Sequence, residues 1–201
     1  MLVVAAHEAG GRAREIGIAR DDREALAALV AVGLEADLLL ITGGVSAGDF
    51  DLVPETLVRA GVTCVFHKIA LRPGKPLWFG VYPRPDQPDC LVFGLPGNPV
   101  SSFVGFQLFV RPAIRACAGH AFAGLPPVRA SLAHDYEHPG GREAYLPCRR
   151  DALPGSGEEV TILTWQGSAD MATLGRANGL VRLTGGSGRR RAGTAVEVLP
   201  I

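Results

Sequence analysis

Apolar and polar positions change period repeatedly over roughly the first 120 residues, as expected of alternating helices and strands. Leu26 and Val30 lie at helical spacing behind Asp21 or Asp22, either of which can cap a helix, and Pro112 is expected to kink or end a later one. The remaining predicted elements are a helix tail at 1–9, a strand at 13–19, strands at 37–41, 64–71, 77–81 and 90–93, and helices at 54–60 and 99–110. Uninterrupted apolar strands between helices favour a doubly wound, mostly parallel α/β sheet.

The pattern changes after Pro126 and Pro127, where short alternating segments separated by turns replace the helices. The predicted strands of this part are 128–133, 145–149, 160–164, 180–183 and 195–199. Such a tail is typical of a small all-β domain, either a β-barrel or a β-sandwich. We therefore predict an α/β domain over residues 1–122 and a β domain over residues 123–201.

Charge and cysteine content narrow the class of protein. The formal net charge is zero, which argues against a general nucleic-acid binder because such proteins need a cationic face. The four cysteines are far apart, so they are expected to be small buried hydrophobes in a reducing cytosol. Residues 91–110 carry no charge, but Gly94 and Pro96 would break a membrane helix. The first residues lack a basic leader, so we expect a cytoplasmic protein without a membrane partner.

Three loops rich in Gly or Pro lie at the ends of apolar runs, and they comprise residues 42–51, 71–76 and 95–102. Loops that leave strand ends are where α/β domains bind ligands. Together these loops offer backbone N–H groups, hydroxyls, two cationic side chains and two carboxylates. That set of groups suits a phosphorylated ligand with a metal ion.

The first loop combines flexible backbone with polar side chains. Gly43 and Gly44 allow a sharp turn with exposed N–H groups, and Ser46 adds a hydroxyl. Asp49 and Asp51 are spaced so that one can hold Mg²⁺ while the other faces solvent. A purely structural strand-to-helix turn is the alternative interpretation.

The other two loops could contact an anion. Arg72 and Lys75 flank a rigid Pro-Gly turn and could bind a phosphate; the alternative is a surface turn in which they pair with nearby carboxylates. Asn98 is explained by helix capping alone, so Ser101 and Ser102 are the more suggestive ligand contacts at the start of that helix.

These motifs, in this order, resemble those of the molybdopterin molybdenumtransferase family, which includes a bacterial enzyme and the C-terminal part of gephyrin. The resemblance continues through the β-rich tail and covers nearly all of the chain. The matching segments are Gly43–Asp51, Arg72–Pro76, Leu95–Ser101, Gln166–Ser168 and Ala177–Leu180.

The resemblance implies a chemistry and a set of site residues. Family members insert molybdate into adenylated molybdopterin, release AMP and require Mg²⁺. Asp51 and Lys75 would be catalytic, and Asp51 with Asp49 would hold the metal ion. The residues implied to bind the ligand are Gly43, Gly44, Ser46, Gly48, Arg72, Pro96, Gly97, Asn98, Ser101 and Ser168. Ser168 would face a neighbouring active site in a homodimer, and the molybdopterin adenylyltransferase is a further implied partner.

The chain also departs from the pattern of this family. Family members begin with two further domains, and their α/β domain opens with a strand ending in Thr-Gly-Asp-Glu, so we expect an N-terminally truncated chain. Two alternatives follow. The chain could be a non-catalytic or split-subunit module that needs a separate N-terminal portion, or it could transfer a nucleotide to molybdopterin. The β-rich tail argues against the second, because a lone adenylyl-transferring domain would not need it.

Overall fold

The computed structural model describes residues 1–19, 22–45, 52–121, 123–153 and 157–201. Its residues cluster in two compact units. The first comprises residues 1–69 and 74–124, and the second comprises residues 70–73 and 125–201.

The first unit contains helices and strands in alternation, close to the elements predicted from periodicity. Its elements are α1 (Leu2–Glu8), α2 (Arg23–Gly33), β1 (Leu38–Thr42), α3 (Leu52–Arg59), β2 (Thr63–His67), β4 (Trp78–Tyr82), β5 (Cys90–Leu95), α4 (Pro99–Gly105) and α5 (Arg111–Cys117). The carboxylate of Asp22 accepts hydrogen bonds from the N–H groups of Glu24 and Ala25, which confirms it as the cap of α2.

The sheet of the first unit is mixed, with the strand order β1-β5-β4-β2. Only β1 and β5 are parallel, whereas β5–β4 and β4–β2 are antiparallel. The prediction of a mostly parallel sheet is therefore wrong for the described strands. The reason is the length of the connection: residues 83–89 join β4 to β5, and a parallel pair needs a crossover of roughly a dozen residues or more.

Helices cover both faces of this sheet. Leu39 and Val92 lie on one face, in a core with the apolar residues of α2 and α3. Phe93 and Leu95 lie on the other face, in a core with α1 and with residues Phe106 and Val110. The apolar strands thus have helices on either side, as their uninterrupted hydrophobic runs indicate.

One local prediction is wrong, and of the two effects predicted for Pro112, a kink or an end, the end is excluded. Residues 13–19 do not form a strand, because no neighbouring strand among the described residues pairs with them. Pro112 does not end its helix, which continues to Cys117. Residues Phe106–Val110 form a π-helical turn directly before this helix, so the backbone hydrogen bonding changes register just ahead of the proline.

The second unit is a small closed β-barrel with additional short strands. Its elements are β3 (Leu71–Arg72), β6 (Val128–Leu132), β7 (Tyr136–His138), β8 (Glu143–Ala152), β9 (Glu158–Ile162), α6 (Met171–Leu174), β10 (Gly179–Leu183), β11 (Gly188–Arg190) and β12 (Ala195–Pro200). The order β10-β12-β6-β9-β8 closes because β8 also pairs with β10. The barrel is filled by residues such as Leu132, Leu146 and Val181. Of the two predicted alternatives, the structure has the barrel.

The cysteines divide into two pairs by exposure, and all four are free thiols. Cys90 and Cys148 are buried as predicted, and burial raises their thiol pKa values to about 11 and about 12. Cys64 and Cys117 are exposed, which contradicts the prediction. Cys64 lies on β2, which is at the edge of the sheet and pairs with β4 alone among the described strands.

Within the described ranges, no helix has both the length and the apolar character needed to cross a bilayer.

Candidate active site

The first and third of the predicted loops meet at one end of the first unit's sheet. β1 and β5 run parallel in a register that places Thr42 beside Leu95. The N–H group of Gly43 donates to the Leu95 carbonyl oxygen at 2.9 Å. A Cβ atom on Gly97 would lie 3.5 Å from the Cα atom of Gly43. The glycines of both loops are therefore neighbours, as expected for loops that follow adjacent parallel strands.

Gly43 and Gly44 both adopt positive φ angles, of 84° and 65°, that favour glycine. A Cβ atom on Gly44 would lie 2.9 Å from Cγ2 of Val53, so packing also requires a glycine there. At Gly43, by contrast, no atom of a described residue lies within 4 Å of where a Cβ would be. The structural-turn interpretation accounts for Gly44, whereas no described residue fills the space beside the backbone of Gly43.

A hydrogen bond from His67 supports the first loop, and the sequence gives no reason to expect this contact. Its ring nitrogen Nε2 lies 3.0 Å from the carbonyl oxygen of Val45, and the only role it can take there is that of donor. Val45 is 1% exposed, and its side chain packs where Gly94 has none. His67 lies 22 positions further along the chain. Only the tertiary fold brings it under the loop.

Part of the first loop lies outside the described residues. The predicted metal ligands Asp49 and Asp51 fall there, as do Ser46 and Gly48. Elsewhere in the described ranges, no group of three or more His, Cys, Asp or Glu side chains could hold a metal ion. The two carboxylates of this loop therefore remain the predicted metal ligands.

The third loop is closed by a serine rather than by the side chain of Asn98. Asn98 occupies the N-cap position of α4, but its side chain makes no capping hydrogen bond, in contrast to the prediction. The hydroxyl of Ser102 instead donates to the Pro96 carbonyl oxygen and lies 3.2 Å from that of Asn98. The main-chain N–H of Ser102 also donates to Asn98 at 2.9 Å. Ser102 thus has a structural role.

Few residues of this loop are exposed to solvent. Gly97 and Asn98 are exposed, whereas Pro96 and Ser101 are buried, the latter at 5% exposure. The hydroxyl of Ser101 makes no hydrogen bond to any described residue. A ligand at this loop would therefore contact mainly the backbone of Gly97 and the residue that follows it.

Lys75 lies on the second loop, and its main chain is fixed while its side chain is exposed. The carbonyl oxygen of Lys75 accepts from the N–H of Ile69 at 2.9 Å, and Leu77 N–H donates to Gly74 at 3.2 Å. The ammonium group makes no ion pair with a described residue. The alternative in which this lysine pairs with a nearby carboxylate thus finds no support in the described ranges.

Arg72 and Ser168 belong to the second unit. Arg72 lies on β3, which pairs with β8 and whose Leu71 carbonyl oxygen accepts from Arg142 at 3.1 Å. The Arg72 side chain is exposed and forms no ion pair within the part of the chain that is described. It is therefore available to an anionic ligand.

The turn that carries Ser168 is organised by one carboxylate. Asp170 accepts hydrogen bonds from the N–H groups of Gln166 and Thr173 and from the Thr173 hydroxyl. These donors, first the Thr173 amide, lower the pKa of Asp170, so it is ionised at neutral pH. Gly167 adopts a φ of 99° within the turn. The position of Ser168 is thus set by its neighbours on both sides.

Comparisons with known proteins agree over both parts of the chain. A family model described as a probable molybdopterin binding domain matches residues 1–116. A second model, described as the MoeA C-terminal region (domain IV), matches residues 129–201.

Individual relatives match over nearly the whole chain. A molybdopterin molybdenumtransferase from Synechococcus elongatus is 36% identical over 94% of this chain and 45% of its own length. One from Bacillus subtilis is 32% identical over 100% of this chain and 46% of its own length. The crystal structure of a molybdopterin biosynthesis MoeA protein from Pyrococcus horikoshii superposes with a TM-score of 0.77 at 29% identity, over 99% of this chain and 46% of that one. The chain thus spans about half the length of these relatives.

Proposed function

Since the chain belongs to the family of probable molybdopterin-binding domains through residues 1–116, we propose that it inserts molybdate into adenylated molybdopterin with release of AMP. The observation that carries the proposal is the contact between the Gly43 and Gly97 loops at the ends of two parallel strands. No described residue fills the space beside Gly43, and in the proposal the ligand approaches the backbone there. The names of the similar proteins, molybdopterin molybdenumtransferase, supply the reaction.

The cationic residues of the second loop would bind the charged parts of the substrates. Lys75 presents an exposed ammonium group without an ion pair to a described residue, and Arg72 presents a guanidinium group in the same state. In the proposal they hold phosphate or molybdate oxygens, Arg72 through a planar fork and Lys75 as a point charge. Both charges would stabilise the negative charge on the phosphate as AMP leaves.

The remaining roles rest on the resemblance. Asp51, with Asp49, would bind Mg²⁺, which would neutralise phosphate charge in the bound substrate. Ser101 would contact the ligand at the start of α4, with the backbone at Pro96, Gly97 and Asn98. Ser46 and Gly48 would complete the first loop.

Both domains of the chain would contribute residues to the reaction. The α/β domain, 1–122, would carry the first and third loops and Lys75 of the second, and the β domain, 123–201, would present Ser168 to the active site of a second subunit in a homodimer. The substrate would come from a molybdopterin adenylyltransferase in the cytoplasm. Ser168 is partly exposed and its turn is held by Asp170, which is compatible with such a contact.

The test is AMP release by the purified 201-residue chain from adenylated molybdopterin and Mg²⁺, with and without molybdate. We expect release that depends on molybdate and is abolished by Asp51→Ala, while circular dichroism shows that the variant is folded. The isosteric variant Asp51→Asn is the matched control and should also be inactive, because the negative charge is what binds the metal ion. A folded chain that binds the substrate without releasing AMP would contradict the proposal and favour a binding module.

A further inference from the structure

The hydrogen bond from His67 crosses the sheet of the first unit. Paired residues form a row over its four strands, and this row comprises Ile41, Gly94, Trp78 and His67. His67 stands at the β2 end of the row, whereas Val45 packs above Gly94 in β5. The distance from Nε2 of His67 to the Val45 carbonyl oxygen is 3.0 Å. The contact thus joins β2 to a residue above β5, two strand spacings or about 10 Å away.

Gly94 is what allows Val45 to lie so close to the sheet. A Cβ atom at position 94 would be 2.7 Å from Cγ1 of Val45 and 3.2 Å from Cβ of Trp78. Val45 therefore packs directly on the main chain of β5, where it is 1% exposed. A carbonyl group buried in this way needs a hydrogen-bond donor, and the imidazole of His67 supplies it.

The main chain that follows His67 is tied to the second loop. The Lys68 N–H donates to the Leu77 carbonyl oxygen, and the Ile69 N–H donates to the Lys75 carbonyl oxygen, both at 2.9 Å. These two bonds continue the pairing of β2 with β4 beyond His67. His67 and Lys75 therefore belong to the same hairpin.

The other hydrogen bonds at the base of the first loop lead elsewhere. The Gly43 N–H donates to Leu95 of β5 at 2.9 Å, and the Gly44 carbonyl oxygen accepts from Val53 of α3 at 3.3 Å. Among the described residues, no hydrogen bond other than that of His67 joins residues 42–45 to residues 67–76. The link between the two loops thus depends on a single side chain.

We propose that His67 is a positioning residue that couples the two loops: through Val45, it holds the first loop against the hairpin that carries Lys75. A displacement of either loop is transmitted to the other through this bond. A water molecule or a main-chain donor would satisfy the Val45 carbonyl equally well without making such a link. The coupling is independent of any reaction, whereas its consequence, that both loops bind the substrate as one preformed site, rests on the proposed function.

A purely structural role for His67 is the competing explanation. In that case the imidazole satisfies a buried carbonyl and stabilises the fold, and changes made in the two loops have independent effects. Changes in two coupled loops have non-additive effects instead. The two explanations therefore differ in coupling, and a measurement of stability alone does not separate them.

The first test follows amide hydrogen exchange of the full 201-residue chain by nuclear magnetic resonance, without a ligand. The Val53 amide reports on the first loop through its bond to Gly44, and the Ile69 amide reports on the second through its bond to Lys75. Gly74→Ala perturbs the second loop, because Gly74 has a φ of 118° that alanine rarely adopts. We expect G74A to speed exchange about tenfold at Ile69 and about threefold at Val53.

Two variants of His67 isolate the link. His67→Leu removes the donor, and His67→Gln is the matched control because its amide N–H can occupy about the same position as Nε2. In H67L, G74A should still speed exchange at Ile69 but should no longer affect Val53. In H67Q, both effects should persist. An unchanged Val53 amide in G74A alone, or equal transmission in H67L and H67Q, would overturn the proposal.

Global unfolding is monitored in the same spectra. The Leu26 amide bonds to the Asp22 carbonyl oxygen at the start of α2, away from both loops, and its exchange should stay constant. If it accelerates in H67L, His67→Asn takes the place of that variant, because its shorter side chain does not reach the Val45 carbonyl.

A second measurement tests the consequence for the substrate. Affinity for adenylated molybdopterin is measured by isothermal titration calorimetry for His67→Leu, Lys75→Ala and the double variant. We expect K75A to lower affinity about tenfold in the native chain and about threefold in the H67L background. Equal losses in both backgrounds would contradict a shared positioning of the two loops. A native chain that does not bind the compound would count against the proposed function alone, since the exchange experiment needs no ligand.

Discussion

Gly43 and Gly44 are adjacent glycines with positive φ angles but with different surroundings. Gly44 packs against Val53, whereas the space beside Gly43 contains no atom of a described residue within 4 Å. Gly44 is required by packing and by backbone conformation together, and Gly43 by conformation alone. At the scale of the residue, Gly43 is thus the position where a side chain would test ligand approach.

We expect Gly43→Ala to lower the free energy of unfolding by about 1–2 kcal/mol, because alanine is strained at a φ of 84°. Gly43→Asn is the control, since asparagine tolerates this conformation better and should cost less. Urea denaturation measures both values. If the two variants were equally stable, the positive φ would not be the source of the effect.

Lys75 can be tested without disturbing the loop that carries it. Its main-chain carbonyl oxygen, which accepts from Ile69, remains in Lys75→Ala. We expect this variant to bind adenylated molybdopterin more weakly by about 1–3 kcal/mol, the value of a charge-assisted hydrogen bond. Lys75→Arg keeps the charge and should retain most of the affinity. Isothermal titration calorimetry measures the affinities. An unchanged affinity of the alanine variant would indicate that Lys75 belongs to an ordinary surface turn and does not bind the ligand.

At the scale of the element, β8 is the strand that holds the barrel together. It pairs with β9 and β10 in the barrel and with β3 at its start. Two side chains reinforce it near its end. Arg150 makes a two-pronged ion pair with Glu158, at 2.8 and 2.6 Å. Asn178 bonds both main-chain groups of Arg150, accepting from its N–H at 2.6 Å and donating to its carbonyl oxygen at 2.9 Å.

We expect Asn178→Ala to lower the free energy of unfolding by about 1–3 kcal/mol, because two hydrogen bonds to β8 are lost. Asn178→Asp keeps the acceptor for the Arg150 N–H but loses the donor, so its cost should be intermediate. Thermal or urea denaturation measures the series. A stable alanine variant would mean that the backbone ladder alone secures this end of β8.

At the scale of the whole molecule, the shifted ionisable groups favour stability above acidic pH. Arginine partners and backbone donors lower the pKa of carboxylates in both units, and these are Glu55, Asp135, Glu143, Glu158 and Asp170. His138 is 1% exposed, and neither ring nitrogen has a hydrogen-bond partner among the described residues. Burial, then the charges of Arg190 and Arg72, lower its pKa.

These directions fix the sign of the pH dependence. A carboxylate with a lowered pKa binds fewer protons folded than unfolded, so its stabilisation is lost as pH falls below about 4.5. His138 is neutral when folded and protonates more readily when unfolded, so stability is lost as pH falls below about 6.5. We therefore expect the free energy of unfolding to fall in two stages on acidification.

His138→Leu should remove most of the first stage, between about pH 7 and pH 5, since leucine does not titrate. His134→Leu is the matched control, because it makes the same replacement at an exposed position on the same segment. Urea denaturation at a series of pH values measures both. An unaltered slope in the His138 variant would show that another group titrates in this range.

Much of the first unit follows from local pattern, and its failures have a common cause. The capped helix at Asp22 and the loops after β1 and β5 could be predicted, because helical spacing, capping and turn residues act over a few positions. The short connection of residues 83–89 requires β4 and β5 to be antiparallel if they are neighbours, but that they are neighbours could not be predicted from the two segments alone. The role of His67 beneath the first loop was likewise out of reach, at a separation of 22 residues.

Sequence pattern alone was enough to place most helices and strands and to predict a sharp turn at Gly43 and Gly44. These properties depend on sterics and hydrogen bonding within a few residues. The tertiary structure was needed to show that the tail closes into a barrel, that Cys64 is exposed, and that residues 13–19 pair with no strand among the described residues. Each of these depends on which distant backbone lies alongside, and periodicity along one segment carries no information about its neighbour.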